Sequence, residues 1–133
     1  MSELNLRIPG PVSLPEDVLD LVGGQMINHR GPEFAEIINR MTANFKKVLG
    51  TRGRAYFLTA SGTGSMEAAV VNTLSPGDRV LSISIGSFGN RFGDIAEAYG
   101  TEVTRVEFEW GKAADPERVR ETLRDIPDCA AVV

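Results

Sequence analysis

Residues 61–64 read Ser-Gly-Thr-Gly, a combination that suits anion binding. They join a predicted strand to a predicted helix, where free backbone N–H groups and the positive end of a helix dipole meet. Glycine lets an anion approach the backbone, and the hydroxyls of Ser61 and Thr63 add donors for a phosphate or carboxylate. A plain strand-to-helix turn with a Ser/Thr cap explains the same residues. Spacing alone leaves both interpretations open.

Two well-known phosphate motifs are not met. A Walker loop requires a Gly-Lys-Ser/Thr tripeptide, which the sequence does not contain. A dinucleotide fingerprint would place its third glycine at the position of Glu67, and no acidic residue ends the following predicted strand. An anion site at residues 61–64 therefore belongs to neither class.

Residues 86–91, Gly-Ser-Phe-Gly-Asn-Arg, follow the next predicted strand and are expected at the same edge of the sheet. There Phe88 could stack on a planar ligand whose phosphate lies at Gly62 and Thr63. Alternatively, Phe88 begins the apolar stripe of its own helix. Arg91 is either a ligand group or an ordinary solvated charge, and the second interpretation is the simpler one.

The remaining reactive side chains are not grouped into a site. The sequence has one His and one Cys, so a zinc site of the usual Cys/His type would need ligands from another chain. Cys129 lies in an apolar run typical of a buried thiol, and His29 lies in a polar link. The lysines sit at predicted helix ends or in a turn, so none resembles a desolvated, activated amine.

Helices and strands alternate along most of the chain. A short helix is predicted over residues 15–22, and a longer one begins at Pro32 and carries an apolar stripe to residue 49. The later elements are predicted strands at residues 55–59, 79–85, 103–108 and from 129, with helices at about 65–74, 88–99 and after Asp115. This alternation predicts an α/β fold in three αβα layers, with a mostly parallel sheet covered on both faces.

Composition excludes several classes of partner. With 133 residues, 42% hydrophobic and 24% charged, the chain can form a core. A net charge of −4 argues against nucleic acid. No apolar run approaches the ~20 residues that span a bilayer, and no secretory signal is present, so a cytoplasmic protein is expected. Residues 129–133 form a buried-type strand with no crossover after it, which predicts the front part of a longer polypeptide.

Taken together, these segments resemble class V (fold type I) pyridoxal-phosphate-dependent aminotransferases, in particular the alanine–glyoxylate and serine–glyoxylate group. The resemblance extends over nearly the whole chain from Leu6 onward, and the order and spacing of its pieces make it specific. The matching pieces are Pro-Gly-Pro at residues 9–11, His-Arg-Gly-Pro-Glu-Phe at 29–34, residues 59–69, Asn72, Pro-Gly-Asp at 76–78, and residues 86–91.

The resemblance implies a role for each matching residue. Ser61, Gly62 and Thr63 would hold the phosphate of pyridoxal 5′-phosphate, and Phe88 would stack on its pyridine ring. Gly10 would approach the substrate. Residues 1–30 would form an N-terminal arm and entry segment, and residues 31–133 the first part of the cofactor-binding large domain. The family works as a homodimer with sites at the subunit boundary.

The implied reaction is transamination between a small amino acid of alanine or serine type and a 2-oxo acid of glyoxylate or pyruvate type. The family's Schiff-base lysine, its aspartate beneath the pyridine nitrogen and its carboxylate-binding arginine all occur later than Val133, so the isolated chain is not expected to transaminate. Two alternatives stay open: a small non-catalytic α/β module that binds a phosphate-bearing ligand, and a structural fragment in which residues 61–64 are merely a turn.

Overall fold

The computed structural model describes residues 6–133. The chain divides into two units, one ending at Tyr56 and the other running from Phe57 to Val133. The division expected from the family resemblance, between residues 1–30 and 31–133, stays a prediction.

The first unit contains two helices, α1 (Glu16–Val22) and α2 (Pro32–Val48). As predicted, α2 begins with a proline, carries Glu33 in its first turn and has two lysines in its last turn; these charges suit the helix dipole. Neither helix has a fully buried side chain. The apolar stripe of α2 is half-buried at Phe34 and exposed at Ile37, so it is only partly covered.

The second unit alternates helices with strands, which confirms the predicted α/β class. Its elements are α3 (Gly62–Thr73), β1 (Arg79–Ser84), α4 (Ser87–Ala98), β2 (Glu102–Glu107), α5 (Pro116–Arg124) and β3 (Cys129–Val132). The three strands form one parallel sheet in the order β2-β1-β3. The carboxyl ends of all three strands therefore lie at one edge.

The core of this unit is centred on β1, which has a hydrogen-bonded neighbour on each side. Val80 and Leu81 are fully buried, and Val80 lies in register with Val103 of β2 and Ala131 of β3. The β1 hydroxyls of Ser82 and Ser84 are also buried. These small polar residues mark where a helix comes close to the strand.

Two glycines let α4 lie directly against β1. A Cβ at Gly93 would stand 2.5 Å from the Ser82 hydroxyl oxygen, and one at Gly89 would stand 2.8 Å from the Ser84 Cα. Any side chain at either position would push the helix away from the strand. The two glycines of α4 and the two serines of β1 therefore set how closely α4 packs on β1. The same packing sets the position of the first turn of α4.

Two predicted elements differ in the structure. Residues 55–59, predicted as a strand, form neither a helix nor a strand, and Tyr56, Phe57 and Leu58 are exposed. A strand needs a hydrogen-bonded neighbour, and no strand of residues 6–133 pairs with this segment. Helix α3 begins at Gly62, three residues before the predicted start, so the glycines of residues 61–64 form its first turn.

Within the described part of the chain, no helix has both the length and the hydropathy required to cross a lipid bilayer.

Candidate functional site

The N-terminus of α3 is built from the predicted anion-binding residues. Ser61 is the N-cap in an extended conformation, and Gly62 and Thr63 are the first two helical residues. The first N–H groups of a helix have no partner within it, and the Ser61 side chain caps none of them. The first turn of α3 carries no acidic residue. This helix end therefore offers backbone donors and two hydroxyls with no carboxylate of its own turn beside them.

The two glycines of this turn have different surroundings. A Cβ at Gly62 would meet no heavy atom within 4 Å, so the space beside this backbone is open. A Cβ at Gly64 would lie 2.8 Å from that of Ala60, so this glycine lets the chain fold tightly into the helix. The open space beside Gly62 and the exposed Ser61 hydroxyl fit a phosphate group.

The second part of the site follows β1 at the same kind of strand-to-helix junction. The buried Ser84 hydroxyl donates to the Gly86 carbonyl oxygen at 2.8 Å and accepts from the Gly86 N–H at 3.3 Å. This local pair of bonds holds the turn that leads into α4. Sequence reasoning did not identify Ser84, although its position just before Gly86 at the end of an apolar strand is the available signal.

Phe88 is the second residue of α4 and keeps 51% of its surface exposed. The buried face of this helix lies instead at Gly93 and Ala96. The sequence left open whether Phe88 stacks on a ligand or begins the buried apolar stripe of its helix. Its exposure does not fit a place in a buried stripe. Its ring has the exposure that a stacking platform requires.

Arg91 connects the two parts of the site. Its Nη1 donates to the Thr63 hydroxyl oxygen at 3.0 Å, and its guanidinium carbon lies 5.4 Å from the centre of the Phe88 ring. The structure therefore brings Thr63, Phe88 and Arg91 together within the second unit. Arg91 is itself exposed, so it is a solvated charge that also makes these two contacts, and a role toward a ligand stays a prediction. The spacing of Phe88 and Arg91, three residues apart on one helix, was the signal for their contact.

Two polar contacts fix the helices that carry the site. The hydroxyl of Tyr99, the residue that follows α4, donates to the Glu67 carboxylate of α3. This bond, followed by partial burial and the negative charge of Glu67, raises the pKa of Tyr99. On the other side of α4, Arg105 of β2 pairs with Glu97 at 2.7 Å and Asp94 at 2.9 Å. The hydrogen bond to Glu97 is the main reason that the pKa of Arg105 is raised.

The other predicted residues are not part of this cluster. Gly10 lies in the first unit, in the irregular segment before α1, where it is exposed, and its role toward a substrate stays a prediction. His29 is exposed in the turn before α2. The Cys129 thiol is half-buried and donates to the Ala131 carbonyl oxygen at 3.2 Å.

Surface cavities occur at the opposite edge of the sheet. One of about 440 Å³ is lined by Arg79, Glu102 and residues of the turn before β3. Arg79 and Glu102 are the first residues of β1 and β2, and they pair with each other at 3.4 Å. Ligands of parallel α/β sheets bind at the carboxyl ends of strands. We therefore place the candidate site at the α3 and α4 N-termini, not at this cavity.

Comparison with curated proteins yields relatives that are mostly named as aminotransferases. The chain is 41% identical over 131 residues to a protein of Synechococcus named soluble hydrogenase, small subunit, with 96% of this chain and 34% of the relative aligned. It is 39% identical to an uncharacterized aminotransferase of Methanocaldococcus jannaschii (96% of this chain, 33% of the relative). It is 38% identical to the serine–glyoxylate aminotransferase of Methylorubrum extorquens (90% and 30%). No family model matches the chain.

Solved structures agree with these relatives. The alanine–glyoxylate aminotransferase of Nostoc superimposes with a TM-score of 0.79 at 30% identity, over 88% of this chain and 31% of that one. The helices and parallel sheet thus match the N-terminal region of the αβα fold type I aminotransferases. The chain spans about a third of the length of the curated relatives it matches. It is homologous to the N-terminal part of class V aminotransferases of the alanine–glyoxylate and serine–glyoxylate type.

Proposed function

We propose that this chain supplies the phosphate-binding and ring-stacking part of a pyridoxal 5′-phosphate-dependent aminotransferase. Ser61, Gly62 and Thr63 would bind the cofactor phosphate at the N-terminus of α3. Phe88 would stack on the pyridine ring at the N-terminus of α4. The observation that carries this proposal is the contact of Arg91 with both Thr63 and Phe88, because it brings an anion-binding helix end and an exposed aromatic ring to one place.

The residues present fit such a cofactor chemically. A phosphate ester is an anion that helix N–H groups, the helix dipole and hydroxyl donors stabilise. An aromatic face suits a planar pyridine ring. When bound, pyridoxal 5′-phosphate acts as an electron sink for reactions at the α-carbon of an amino acid. The residues of this chain orient that group and hold its phosphate.

The substrate class is drawn from the relatives. One is named for serine and glyoxylate and a solved structure for alanine and glyoxylate, so the acceptor is shared while the amino donor differs. We infer transamination between a small amino acid of alanine or serine type and a 2-oxo acid of glyoxylate or pyruvate type, with Gly10 near the substrate.

The oligomeric state, the compartment and the domain division are also taken from the family. We propose a homodimer in the cytoplasm, in which residues 1–30 form an arm and residues 31–133 open the cofactor-binding domain. The lysine that binds the cofactor covalently would then lie later in the native polypeptide than Val133.

Reduction of the native protein with borohydride tests this proposal. The protein is purified from its source, reduced, and its intact mass is measured by mass spectrometry. We expect a pyridoxyl-phosphate adduct on a chain longer than 133 residues. A 133-residue product without adduct would instead support a non-catalytic module that binds a phosphate-bearing ligand.

A further inference from the structure

We propose that Arg91 is a positioning residue that turns the Thr63 hydroxyl toward the cofactor phosphate and holds the Phe88 ring in its stacking orientation. This inference rests on the proposed function, since it assigns Arg91 a role toward the same ligand. Arg91 acts through Thr63 and Phe88, which are the residues proposed to touch the cofactor.

The first step concerns the direction of the Thr63 hydroxyl proton. An arginine has only donors, so in the 3.0 Å contact the Thr63 oxygen must accept. The hydroxyl proton of Thr63 is therefore left for another acceptor. Two threonines in the last turns of their helices bond differently: the Thr73 hydroxyl donates to the Ala69 carbonyl oxygen at 2.7 Å, and the Thr122 hydroxyl donates to the Arg118 carbonyl oxygen at 2.9 Å. Arg91 thus favours Thr63 as a donor at the end of α3, where an anion would bind.

The second step concerns the Phe88 ring. Arg91 and Phe88 are three residues apart on α4, which places them on one face of the helix. The guanidinium lies 5.4 Å from the ring centre, within the range of a cation–π interaction. Because about half of the surface of Phe88 is exposed, fewer neighbours surround this residue than would surround a buried one. The contact with Arg91 restricts the orientation of the ring and leaves part of its surface accessible.

The two contacts together set the spacing of the site. Thr63 belongs to α3 and Phe88 to α4, and Arg91 touches both. A ligand that carries a phosphate and a planar ring needs Thr63 and Phe88 at a fixed separation. The positive charge of Arg91 also adds to the positive potential at the N-terminus of α3.

A double-mutant cycle in the complete gene product tests this role. Dissociation constants for pyridoxal 5′-phosphate are measured by fluorescence titration for the unaltered protein, Arg91→Met, Thr63→Val and the double variant. Since a hydrogen bond with a charged donor is at stake, we expect Arg91→Met alone to weaken binding about tenfold. In the Thr63→Val background the same change should cost only about twofold, because the hydroxyl that Arg91 directs is absent and only its contact with Phe88 is left to lose.

Arg118→Met is the matched control. Arg118 also lies over an aromatic ring, that of Phe108 at 5.0 Å, and also donates one hydrogen bond, to the Glu107 carbonyl oxygen at 3.1 Å. Its substitution removes the same kinds of contact at the end of β2 and should leave the dissociation constant unchanged. If Arg91→Met does not fold, Arg91→Lys takes its place, with about a threefold loss expected because an ammonium keeps the charge but not the planar fork.

Circular dichroism in the cofactor absorption band provides a second readout. We expect a smaller signal per bound cofactor in Arg91→Met, because the freed Phe88 ring no longer fixes the asymmetry around the pyridine. A merely structural role would lower the melting temperature and leave this signal intact. Losses that multiply in the double variant, or equal effects of Arg91→Met and Arg118→Met, would overturn the inference while the proposed function stands. Failure of the unaltered protein to bind pyridoxal 5′-phosphate would overturn both.

Discussion

At the scale of the residue, Gly62 is the position where a side chain and a bound anion would compete most directly. It is the first helical residue of α3, and the space that its Cβ would enter is open. An acidic residue there is compatible with the helix, because a negative charge in the first turn interacts favourably with the dipole. The effect of an acidic residue at position 62 on ligand affinity can therefore be measured separately from its effect on folding.

We expect Gly62→Asp to weaken pyridoxal 5′-phosphate binding by about 100-fold or more. Two like charges about 4 Å apart near a protein surface repel by about 4 kcal/mol, and the phosphate carries more than one charge. Gly62→Asn, which has the same size without the charge, should lose about tenfold or less. Fluorescence titration of both variants checks this, and melting curves confirm that they fold. Equal affinity of Gly62→Asp and the unaltered protein would remove Gly62 from the site.

Residue types alone indicated part of the candidate site. The Ser-Gly-Thr-Gly turn and Phe88 were recognisable because helix ends and exposed aromatic residues have general binding properties. The contact of Arg91 with Thr63 was not predictable, because it joins residues that lie 28 positions apart in the sequence. Such a contact depends on how two helices pack, which no local pattern describes.

At the scale of the element, α3 and α4 are joined at two places. Arg91 and Thr63 meet near their N-termini, and Tyr99 and Glu67 meet further along. The pKa of Tyr99 is raised mainly by its hydrogen bond to Glu67. Since the pKa is higher in the folded than in the unfolded state, the folded protein holds this proton more tightly. The resulting stability is present below about pH 10 and is lost as the pH rises through the folded-state pKa.

We therefore expect Tyr99→Phe to make the melting temperature less sensitive to alkaline pH. Thermal unfolding between about pH 9 and pH 11.5 should show a steeper decline for the unaltered protein than for the variant. Tyr56→Phe, at an exposed position in the other unit, is the control and should keep the original slope. Identical slopes for Tyr99→Phe and the unaltered protein would contradict the proposed link between the two helices.

The elements themselves were largely predictable. The stripe of α2, the alternation of β1 and the Asp115 cap of α5, whose carboxylate accepts from the Glu117 N–H at 3.0 Å, all follow from local chemistry. The segment at residues 55–59 has strand-like residues, but strand formation also depends on a neighbour that its own sequence does not encode. The early start of α3 was missed because glycines at 62 and 64 disfavour a helix interior, whereas in a first turn they are tolerated.

At the scale of the whole molecule, burial is uneven. The fully buried side chains lie in the second unit and centre on β1, whereas α1 and α2 contain none. Local stability follows the amount of buried apolar surface. The two units are therefore expected to differ in how readily their backbone opens.

Hydrogen exchange measured by mass spectrometry should show this difference. We expect the slowest exchange in peptides covering Val80 to Ser84 and the fastest helical exchange in α1. Peptides from α2 should be intermediate, because its stripe is partly covered. If α2 in the complete gene product exchanges as slowly as β1, then that stripe is covered by a surface outside the described residues.

The strand order β2-β1-β3 has a consequence for where any ligand binds. The chain steps from β1 to β2 in one direction and then returns past β1 to reach β3 on its other side. In parallel sheets, such a topological switch point opens a crevice outside the carboxyl ends of the strands, because the connecting loops diverge there. The carboxyl end of β1 leads through Gly86 directly to Phe88 and Arg91. The strand order therefore places the ligand crevice at the carboxyl end of β1, which is also where Phe88 and Arg91 lie.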